Sequence, residues 1–589
     1  MTLAVDRAKA AIARGDLITA YDETVSAIGE GDMSAAIRHQ QVLALARMGD
    51  TERAMELFGA YGLDRSDDPH QQAVGARLLK DRALGIAPGP DRDNALGAAF
   101  EAYRTIFAES GDPYPGINAA SLAALGGRNA DARAIAIDIL AHPEVADPGD
   151  YYMAATCAEA LLILGRVDEG ADALRRAGTM IGDDHGARST TCRQLKLLAR
   201  HMGLDDDRVD HLLAAVRPPC VIHYCGHMFA ADPVAEAGIR AAIDRRLADG
   251  NIGFAYGALA AGGDILIAEA IVARGGELHV VLPFAIDEFI GQSVRPAGEQ
   301  WIERFEHCMA AASSRTLATE MAFVGDPDQF AYGSRVAMGL ATLRAQHLGN
   351  VPQQLAVWDG VPSHGSAGTG ADVAVWRIRG GETIVIDPGD VDRGLVRPPV
   401  QDGAAHERAL AAILFTDFPG FSKLAEAVLP AFWGDVMRRI ADVLNEHGED
   451  VLCRNSWGDA LYAVASSAAG AAEIALTLQS RLREFDYRTL GLADSGGMRI
   501  GAHYGPAYRS LDPITGRMNF YGTEVSRAAR IEPVTPPGAV FVTEPFAAIL
   551  ALEAPGHFQC RYVGRIALAK GYGTYPMYRL TRLSDCPGR

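Results

Sequence analysis

Apolar residues recur at helical spacing along the first third of the chain. Up to about Val216, alanine-rich apolar positions fall three and four residues apart, and short Gly/Asp breaks interrupt them, such as EGD at 30–32 and MGD at 48–50. This pattern predicts one helix after another over residues 1–216. No cluster of catalytic side chains stands out within it.

Three stretches of this region share one plan: LALARMGDTERAMELF, SLAALGGRNADARAIAIDIL and ALLILGRVDEGADAL. Each runs from an apolar helix through a glycine turn and charged residues into a second alanine-rich helix. They resemble degenerate tetratricopeptide-type helical hairpins, which stack so that each buries the face of its neighbour. An ordinary helical bundle is the alternative. In either case we expect a scaffold or sensor, with a protein partner on the repeats.

The hydrophobic pattern changes after Pro218-Pro219. Short apolar runs typical of strands follow, namely CVIHYCG, NIGFAYGA, ELHVVLPF, QLAVWDG and DVAVWRI. Helical segments such as VAEAGIRAAIDRRLA and GDILIAEAIVARG separate several of them. This alternation predicts an α/β domain with a largely parallel sheet over residues 217–390.

One part of this domain, FAYGALAAGGDILIAEAIVARGGELHVVLPF, reads as strand, glycine-rich turn, helix and strand. It is similar to the Rossmann-like ligand-sensing domains related to DNA-processing and lysine-decarboxylase-like proteins. The resemblance implies that Gly262 and Gly263 let backbone N–H groups at a helix N-terminus approach the phosphate of a small nucleotide-like ligand. A glycine turn that serves packing is the alternative.

Cysteine and histidine alternate around the first of these strands, which raises the question of a zinc site at Cys220, His223, Cys225 and His227. Alternate residues of a strand point to opposite faces, and no second ligand pair follows at zinc-site spacing. We therefore interpret these residues as the core of a buried strand.

A stretch rich in Pro, Gly and charge, DRGLVRPPVQDGAAHER, predicts a linker over residues 391–408. The last domain then covers residues 409–581, and a short tail covers 582–589. These boundaries divide the chain into an all-α region, an α/β domain and a C-terminal domain.

The C-terminal domain places two aspartates at strand ends. An apolar strand over residues 411–415 leads into Asp417 in AAILFTDFPGFSKLAEAV, and Asp459 lies in a tight turn within VLCRNSWGDALYAV. Two such carboxylates suit Mg²⁺, which takes a few protein oxygens and completes its shell with substrate phosphates. The turn amides of residues 418–421 are placed to face a polyphosphate.

Four motifs in this domain resemble, in order, those of class III adenylate/guanylate cyclases. They are ILFTDFPGFSKL, NSWGDA, MRIGAHYGP, and FYGTEVSRAARIE followed by VGRIALAKGYGTYPMYRL. The resemblance implies a ferredoxin-like α+β fold that works as a homodimer. Each site then spans the interface, with metal carboxylates from one subunit and base-reading and transition-state residues from the other. We expect the upstream regions to regulate this enzyme.

The resemblance also implies roles for single residues. The ligands that it implies for two Mg²⁺ or Mn²⁺ ions are Asp417, Asp459 and Phe418. The catalytic residues that it implies, which stabilise charge at the α-phosphate, are Arg530 and Ser526. The substrate-binding residues that it implies are Phe418, Gly420, Phe421, Asn455, Asn519 and Lys570, the last of these at the triphosphate.

Three positions depart from the adenylate cyclase pattern. Asn455 and Asn519 stand at the base-selecting positions, and Ser526 stands where a transition-state asparagine is usual. An asparagine amide both donates and accepts hydrogen bonds, so it can still read a base edge. We expect ATP as the substrate. The open alternatives are a cyclase that makes cGMP or a cyclic pyrimidine nucleotide, a nucleotide-binding regulator with an inactive cyclase fold, and an enzyme whose main activity lies in the middle domain.

Composition narrows the classes of function. There are 74 acidic and 55 basic residues, a net charge of −19, whereas a nucleic-acid binder normally shows a basic face. The eight cysteines are scattered without framework spacing, which is typical of reduced thiols. The longest apolar segment, residues 252–273, carries Asp264 and Glu269, and no signal peptide precedes it. We expect a cytoplasmic protein with neither nucleic acid nor membrane as a partner.

Overall fold

The computed structural model describes residues 2–363, 365–395, 407–490 and 497–583. Most of the predicted linker over 391–408, and most of the predicted tail over 582–589, lie outside the described residues.

The chain forms two compact units. One holds the residues up to Pro218 together with His347–Asn350, and the other holds Pro219–Gln346 and Val351–Arg582. The change of hydrophobic pattern at Pro218-Pro219 therefore coincides with the change of unit.

Helices build the first unit, as its hydrophobic spacing predicts. Its α-helices are α1 (Thr2–Ala13), α2 (Leu17–Gly29), α3 (Ala35–Met48), α4 (Thr51–Ala60), α5 (Pro69–Leu84), α6 (Pro90–Ser110), α7 (Pro113–Leu125), α8 (Asn129–Ala141), α9 (Pro143–Ala146), α10 (Tyr151–Ile163), α11 (Val167–Met180), α12 (His185–His201) and α13 (Asp206–Leu213). Alanine and leucine fill the interior between them, and these small and unbranched side chains let the helices pack closely.

Three helix ends in this unit share one glycine geometry. Gly49, Gly127 and Gly165 follow α3, α7 and α10 with φ of 82°, 73° and 82°. At each end the next amide donates to the carbonyl five positions earlier: Asp50 to Leu45 at 3.0 Å, Arg128 to Ala123 at 2.7 Å, and Arg166 to Leu161 at 2.9 Å. This bond satisfies a carbonyl at the helix end and turns the chain into the next helix, which explains the glycine in the three similar stretches.

A parallel sheet forms the core of the middle domain. Its strands are β1 (Cys220–Gly226), β2 (Ile252–Gly257), β3 (Glu277–Leu282), β4 (Ser314–Leu317), β5 (Gln353–Val357) and β6 (Thr383–Ile386). Its helices are α14 (Pro233–Asp249), α15 (Gly263–Ala273), α16 (Ile286–Ser293), α17 (Gln300–Ala311), α18 (Asp328–Leu348) and α19 (Thr369–Ile378). The strand order is β4-β3-β2-β1-β5-β6, and every pair is parallel. The predicted α/β class is confirmed.

One predicted strand of this domain is wrong. DVAVWRI belongs to α19 and not to a strand, because its buried residues Val373 and Trp376 are spaced by three. An apolar run this short fits both the helical and the strand periodicity of hydrophobic residues. The edge strand is β6, which follows α19, and neither β6 nor β4 was predicted.

The C-terminal domain is a mixed sheet with helices. Its strands are β7 (Glu407–Asp417), β8 (Val451–Trp457), β9 (Ala460–Ala465), β10 (Arg499–Leu511), β11 (Met518–Tyr521), β12 (Val540–Thr543), β13 (Phe558–Ala567) and β14 (Thr574–Arg582). Its helices are α20 (Leu429–Phe432), α21 (Arg438–Glu446), α22 (Ala468–Arg483), α23 (Thr523–Ala528) and α24 (Glu544–Glu553). The sheet order is β13-β14-β12-β10-β7-β9-β8, with β11 on β10. This arrangement confirms the predicted α+β class.

The middle and C-terminal domains pack directly against each other within the second unit. The Tyr332 hydroxyl in α18 donates to the Tyr504 carbonyl in β10 at 2.8 Å. Further along α18, a Cβ at Gly339 would lie only 2.1 Å from the Ala548 carbonyl oxygen, so glycine permits this close approach. Helix α18 is therefore a main contact between the two domains.

Membrane-spanning helices and disulfide bonds can be assessed for the described residues. No helix there has the length and apolar character that a membrane span requires. The seven described cysteines are all free thiols.

Candidate active site

Strand β7 delivers Asp417 to the edge of the core. Its residues Ala411–Leu414 are fully buried between β10 and β9, and the strand ends at Asp417. On the neighbouring β8–β9 hairpin, Gly458 adopts a φ of 62°, which makes the tight turn that carries Asp459. Because Thr416 pairs with Leu461, Asp459 falls beside the residues that follow Asp417.

The two carboxyl groups are neighbours. The Phe418 N–H donates to Asp459 Oδ2 at 3.0 Å. Burial raises the pKa of Asp459 to about 6, and the charge of Asp417 adds to this rise. A cation placed here would relieve the repulsion between the two carboxylates.

Two further charged residues complete this cluster, and sequence reasoning missed them. Arg499 pairs with Asp417 across β10 and β7, and its guanidinium donates to the Asp417 carboxylate. The same guanidinium lies 3.0 Å from Glu532. Burial raises the pKa of Glu532 to about 7, with the charge of Asp417 as the next cause. Both residues lie inside the quoted motifs MRIGAHYGP and SRAARIE, so the only missing signal was the strand register.

Aromatic packing and a backbone hydrogen bond hold the turn after Asp417. Phe418 is buried against Phe432 and Tyr487, with ring centroids 5.3 and 5.1 Å away. Its carbonyl accepts the Phe421 N–H at 3.2 Å. The Phe418 and Phe421 amides are thus already bonded, and Gly420 supplies the turn amide that has no hydrogen-bond partner among the described residues.

The two predicted base-reading asparagines lie on adjoining strands. Asn455 is exposed on β8 and pairs with Tyr462 on β9. The Tyr462 hydroxyl donates to the Phe520 carbonyl at 2.8 Å, next to Asn519 on β11. Asn519 itself donates to Asp512 at 3.3 Å and accepts from the Phe520 N–H at 2.9 Å. The side-chain amide of Asn519 is therefore already hydrogen-bonded within the domain, whereas the side chain of Asn455 is exposed.

The predicted transition-state residues lie on and after α23. Ser526 is exposed on this helix and Arg530 is half-buried just beyond it. The Ala569 N–H donates to the Arg530 carbonyl at 3.4 Å, which brings the turn of Lys570 beside Arg530. Lys570 has a φ of 61°, a left-handed conformation that costs a non-glycine residue about 1 kcal/mol or more.

Two family models match parts of the chain. Residues 404–582 match the model of the adenylate and guanylate cyclase catalytic domain. The C-terminal domain is a class III nucleotidyl cyclase domain. Residues 15–123 match the model of the Tetratricopeptide Repeats-Sensor family, so the N-terminal helices include sensor repeats of the tetratricopeptide type. Class III cyclases are lyases.

Three solved structures similar to the chain each cover 30% of it. An adenylate cyclase from Trypanosoma brucei in its monomeric state is 21% identical, with 90% of that chain covered and a TM-score of 0.27. The guanylate cyclase domain of RhGC from Catenaria anguillulae in complex with GTP is 19% identical, with 98% of that chain covered and a TM-score of 0.26. The adenylyl cyclase CyaB from P. aeruginosa is 16% identical, with 95% of that chain covered and a TM-score of 0.26. No curated protein matches the chain.

The cyclase family uses divalent metals, and the residues at Asp417 and Asp459 fit such ions. Both donors are hard carboxylate oxygens, and burial, with the charge of Asp417 as a further cause, raises the pKa of Asp459. Among the described residues no group of three or more His, Cys, Asp or Glu side chains is arranged to hold a metal. A pair of carboxylates suits divalent ions that take their remaining ligands from substrate and water.

His223, on the first strand of the middle domain, lies among core side chains. His223 is fully buried, stacked on Trp376 and 3.2 Å from the Gln354 amide. These contacts favour the interpretation of the first strand as core.

A residue of the middle domain reaches the helix of the cyclase domain that carries Ser526. Glu524 on α23 is fully buried. It accepts the Thr319 hydroxyl at 2.9 Å and Arg527 Nη1 at 2.8 Å, and it lies 2.8 Å from His503 Nε2. Thr319 follows β4, so this bond joins the two domains at the predicted catalytic helix.

Proposed function

We propose that the cyclase domain converts a nucleoside triphosphate, with ATP as our candidate, to the 3′,5′-cyclic monophosphate and pyrophosphate. The reaction takes place in a homodimer with Mg²⁺ or Mn²⁺. The observation that supports this proposal most is that Asp417 and Asp459 are neighbours. The N–H of Phe418, the residue after Asp417, donates to the Asp459 carboxylate, and the charge of Asp417 acts on the pKa of Asp459.

One group of residues acts on the metal ions and the phosphates. Asp417 and Asp459, with the Phe418 carbonyl beside them, hold two divalent cations, which when bound lower the pKa of the 3′-hydroxyl and neutralise the leaving pyrophosphate. The Gly420 amide meets a phosphate oxygen. Arg499 keeps Asp417 in place before the substrate arrives.

A second group of residues acts on the nucleotide. Arg530 and Ser526 stabilise the charge that grows at the α-phosphate, and Lys570 binds the outer phosphates. Asn455 and Asn519 meet the base edge. Most of the rate enhancement then comes from positioning and electrostatics, as in other phosphoryl transfers.

The site is completed by a second copy of the chain. Class III cyclases work as dimers. The side chain of Trp457 is 87% exposed, and it lies between Asn455 and Asp459 on the same hairpin. An aromatic side chain left in water at the rim of the site is the kind of surface that a partner covers. The sensor repeats then regulate how the two copies meet.

The test is a comparison of all four nucleoside triphosphates with Mg²⁺ or Mn²⁺. Pyrophosphate release is measured, and the product is identified by mass spectrometry. We expect a cyclic monophosphate from wild type, no product from Asp417→Ala, and unchanged activity from Asp442→Ala, whose carboxylate is exposed on α21. Product that persists in Asp417→Ala would contradict the proposed site and would place the activity elsewhere in the chain.

An inactive nucleotide-binding regulator is the second candidate. The observations that favour it are the short reach of Ser526 and the internal hydrogen bonds of Asn519. It predicts nucleotide binding without pyrophosphate release for all four substrates. A cyclase with another base preference predicts that GTP, CTP or UTP outperforms ATP in the same assay.

A further inference from the structure

The middle domain contains a cavity of about 410 Å³. It is lined by the carboxyl-terminal half of β1 and by the start of α19, the helix that follows β5, and the strand order of the sheet reverses between β1 and β5. Loops leave in opposite directions at such a point and open a crevice between them, so it is the usual position of a ligand site in an open parallel sheet. The cavity lies wholly outside the cyclase site described above.

Two carboxyl groups form the inner wall of this cavity. Asp264, at the start of α15, is 6% exposed, and Asp372, in the first turn of α19, is 8% exposed. Asp264 Oδ2 accepts the Ala260 N–H at 3.1 Å, while its other oxygen, Oδ1, is buried without a hydrogen-bond partner among the described residues. Asp372 accepts the Ser334 hydroxyl at 3.0 Å. A buried carboxyl oxygen without a hydrogen-bond partner is costly, so it points to a missing partner in the cavity, and that partner is a donor when Asp264 is ionised.

The described residues of the inner wall offer no fixed positive charge to a phosphate. Burial raises the pKa of Asp264 to about 7, with Asp372 adding its own negative charge. Burial likewise raises the pKa of Asp372 to about 7. No Arg or Lys side chain lines the inner wall, and the one lining arginine, Arg393, is 45% exposed at the rim and paired with Asp359 at 2.7 Å.

The glycine turn beside this wall serves packing. The Gly263 N–H already donates to the His227 carbonyl at 3.0 Å. A Cβ at Gly263 would lie 2.7 Å from Gly226 Cα, so the two glycines let α15 approach β1. The Gly263 amide, one of those expected to meet a phosphate, is thus used within the fold.

A second part of the cavity lining is apolar. It is lined by Val281, Pro283, Phe289 and Phe330. Phe289 is 1% exposed and Phe330 is half-buried, and both rings pack around Phe284, with centroids 6.2 and 5.1 Å away. A flat apolar group would find van der Waals contact here.

We propose that this cavity binds a small organic ligand that places hydrogen-bond donors, an ammonium group or adjacent hydroxyls, between Asp264 and Asp372 and lays a planar apolar group against Phe289 and Phe330. The ligand supplies the donor that Asp264 Oδ1 lacks. The proposal is independent of cyclase turnover, because it concerns binding to the middle domain alone.

Three probes with the same phenyl group test this proposal on the full chain by isothermal titration calorimetry. Phenethylamine presents an ammonium, styrene glycol presents adjacent hydroxyls, and hydrocinnamate presents a carboxylate. We expect phenethylamine or styrene glycol to bind, and which of them binds identifies the donor group. We expect hydrocinnamate not to bind. Binding of hydrocinnamate alone, or of none of the probes at millimolar concentration, overturns the proposal.

Two variants, Asp264→Asn and Phe330→Leu, then test whether the probe binds in this cavity, with Asp249→Asn as the control. Asp264→Asn should weaken the binding probe roughly tenfold or more, since a charge-assisted hydrogen bond is lost. Asp249→Asn, an exposed carboxylate at the end of α14, should leave the affinity unchanged. Phe330→Leu keeps an apolar wall without the ring and should also weaken binding. Unchanged affinity in both Asp264→Asn and Phe330→Leu overturns the proposal, and either variant suffices if the other fails to fold.

A second inference comes from the bond between Thr319 and Glu524. Glu524 is fully buried at the start of α23, and the Thr319 hydroxyl of the middle domain donates to it at 2.9 Å. Ser526 lies on the same short helix, and Arg530 follows it. A shift in the helix start would therefore displace both.

We infer that Thr319 is a positioning residue that sets the place of Ser526 and Arg530 through Glu524. This inference rests on the proposed cyclase function. A positioning role affects the chemical step, in which these residues act, more than it affects nucleotide binding.

The test is the variant Thr319→Val, which keeps the shape of the side chain and removes its donor. We expect kcat to fall roughly tenfold with KM nearly unchanged, and we expect Thr319→Ser to restore kcat. Thr316→Val, on β4, is the matched control. If wild type turns over and Thr319→Val has the same kcat, this inference is overturned while the cyclase proposal stands. If wild type makes no cyclic product, the cyclase proposal itself has failed.

Discussion

Arg499 and Arg530 carry the same guanidinium in different surroundings. Arg499 is held between Asp417 and Glu532, whereas Arg530 has no ion pair with any described residue. A guanidinium that is already neutralised by two carboxylates stabilises the fold of a site. One that is not neutralised remains able to meet charge that develops on a substrate.

Replacing Arg530 by alanine should therefore affect chemistry more than binding. We expect kcat for Arg530→Ala to fall by roughly 100-fold or more with a small change in KM, because the contact forms in the transition state. Steady-state kinetics with the preferred triphosphate measure both constants. Arg483→Ala, exposed at the end of α22, is the control. A raised KM with unchanged kcat would contradict the assigned role.

The buried Asp264 predicts a dependence of stability on pH. The pKa of Asp264 is raised to about 7 by burial and by Asp372, whereas an unfolded chain holds an aspartate at about 3.9. Below that lower value both states are protonated and the group contributes nothing. Between the two values the folded state must stay protonated while the unfolded state ionises, so the free energy of unfolding falls as pH rises, and it levels off above about 7.

Asp264→Asn removes this titration. Its thermal midpoint should exceed that of wild type at about pH 8, and the gain should shrink at about pH 5. Tyr224, Cys225 and Asp372 face the same carboxyl and are left unchanged. Differential scanning fluorimetry at the two pH values measures the gain, with Asp249→Asn as the reference. A gain that is equal at both values would contradict the raised pKa.

At the scale of elements, the β8–β9 hairpin carries residues for both sites of the proposed dimer, Asp459 for one site and Asn455 for the other. Asn455, Trp457 and Asp459 follow one another at alternate positions around its turn. The hairpin is anchored at its base by the pairing of β9 with β7, while the side chain of Trp457 projects into solvent. A second chain that packs on this hairpin would cover Trp457 and reach Asn455 and Asp459 together.

Trp457→Ser tests this use of the hairpin. We expect a roughly tenfold higher dissociation constant for the dimer, since buried tryptophans often dominate interfaces. Activity should then depend more steeply on protein concentration. Analytical ultracentrifugation and activity at a series of concentrations measure both. Val234→Ser, which also removes an exposed apolar side chain, should change neither, and a Trp457→Ser chain that dimerises like wild type would exclude Trp457 from the interface.

At the scale of the whole molecule, the sequence predicts what is local and misses what depends on register. The strand before Asp417 and the turn at Asp459 follow from hydrophobic runs and glycine, so both aspartates were found. The pairing of Arg499 with Asp417 depends on the offset between β10 and β7, which no local pattern sets. For the same reason the bond from Thr319 to Glu524, 205 residues apart, was not predicted.

Secondary structure was least predictable where a segment is short. DVAVWRI has the composition of a strand and yet forms a helix, because Val373 and Trp376, three residues apart on α19, are both buried, each in its own hydrophobic cluster. The longer segments VAEAGIRAAIDRRLA and GDILIAEAIVARG were predicted as helices and form α14 and α15. Length gives the periodic signal enough repeats to separate the two structures.

The central claim is that one active site draws Asp417 from one chain and Arg530 from another. Complementation tests it most directly. Asp417→Asn and Arg530→Ala chains are purified separately, mixed in equal amounts and allowed to exchange subunits, which is followed by mass spectrometry of differently tagged chains. Each variant alone should be inactive. In the mixture half of the dimers are mixed, and each of these has one intact site of two, so we predict about one quarter of wild-type activity. Mixed dimers that form and remain inactive would contradict the claim.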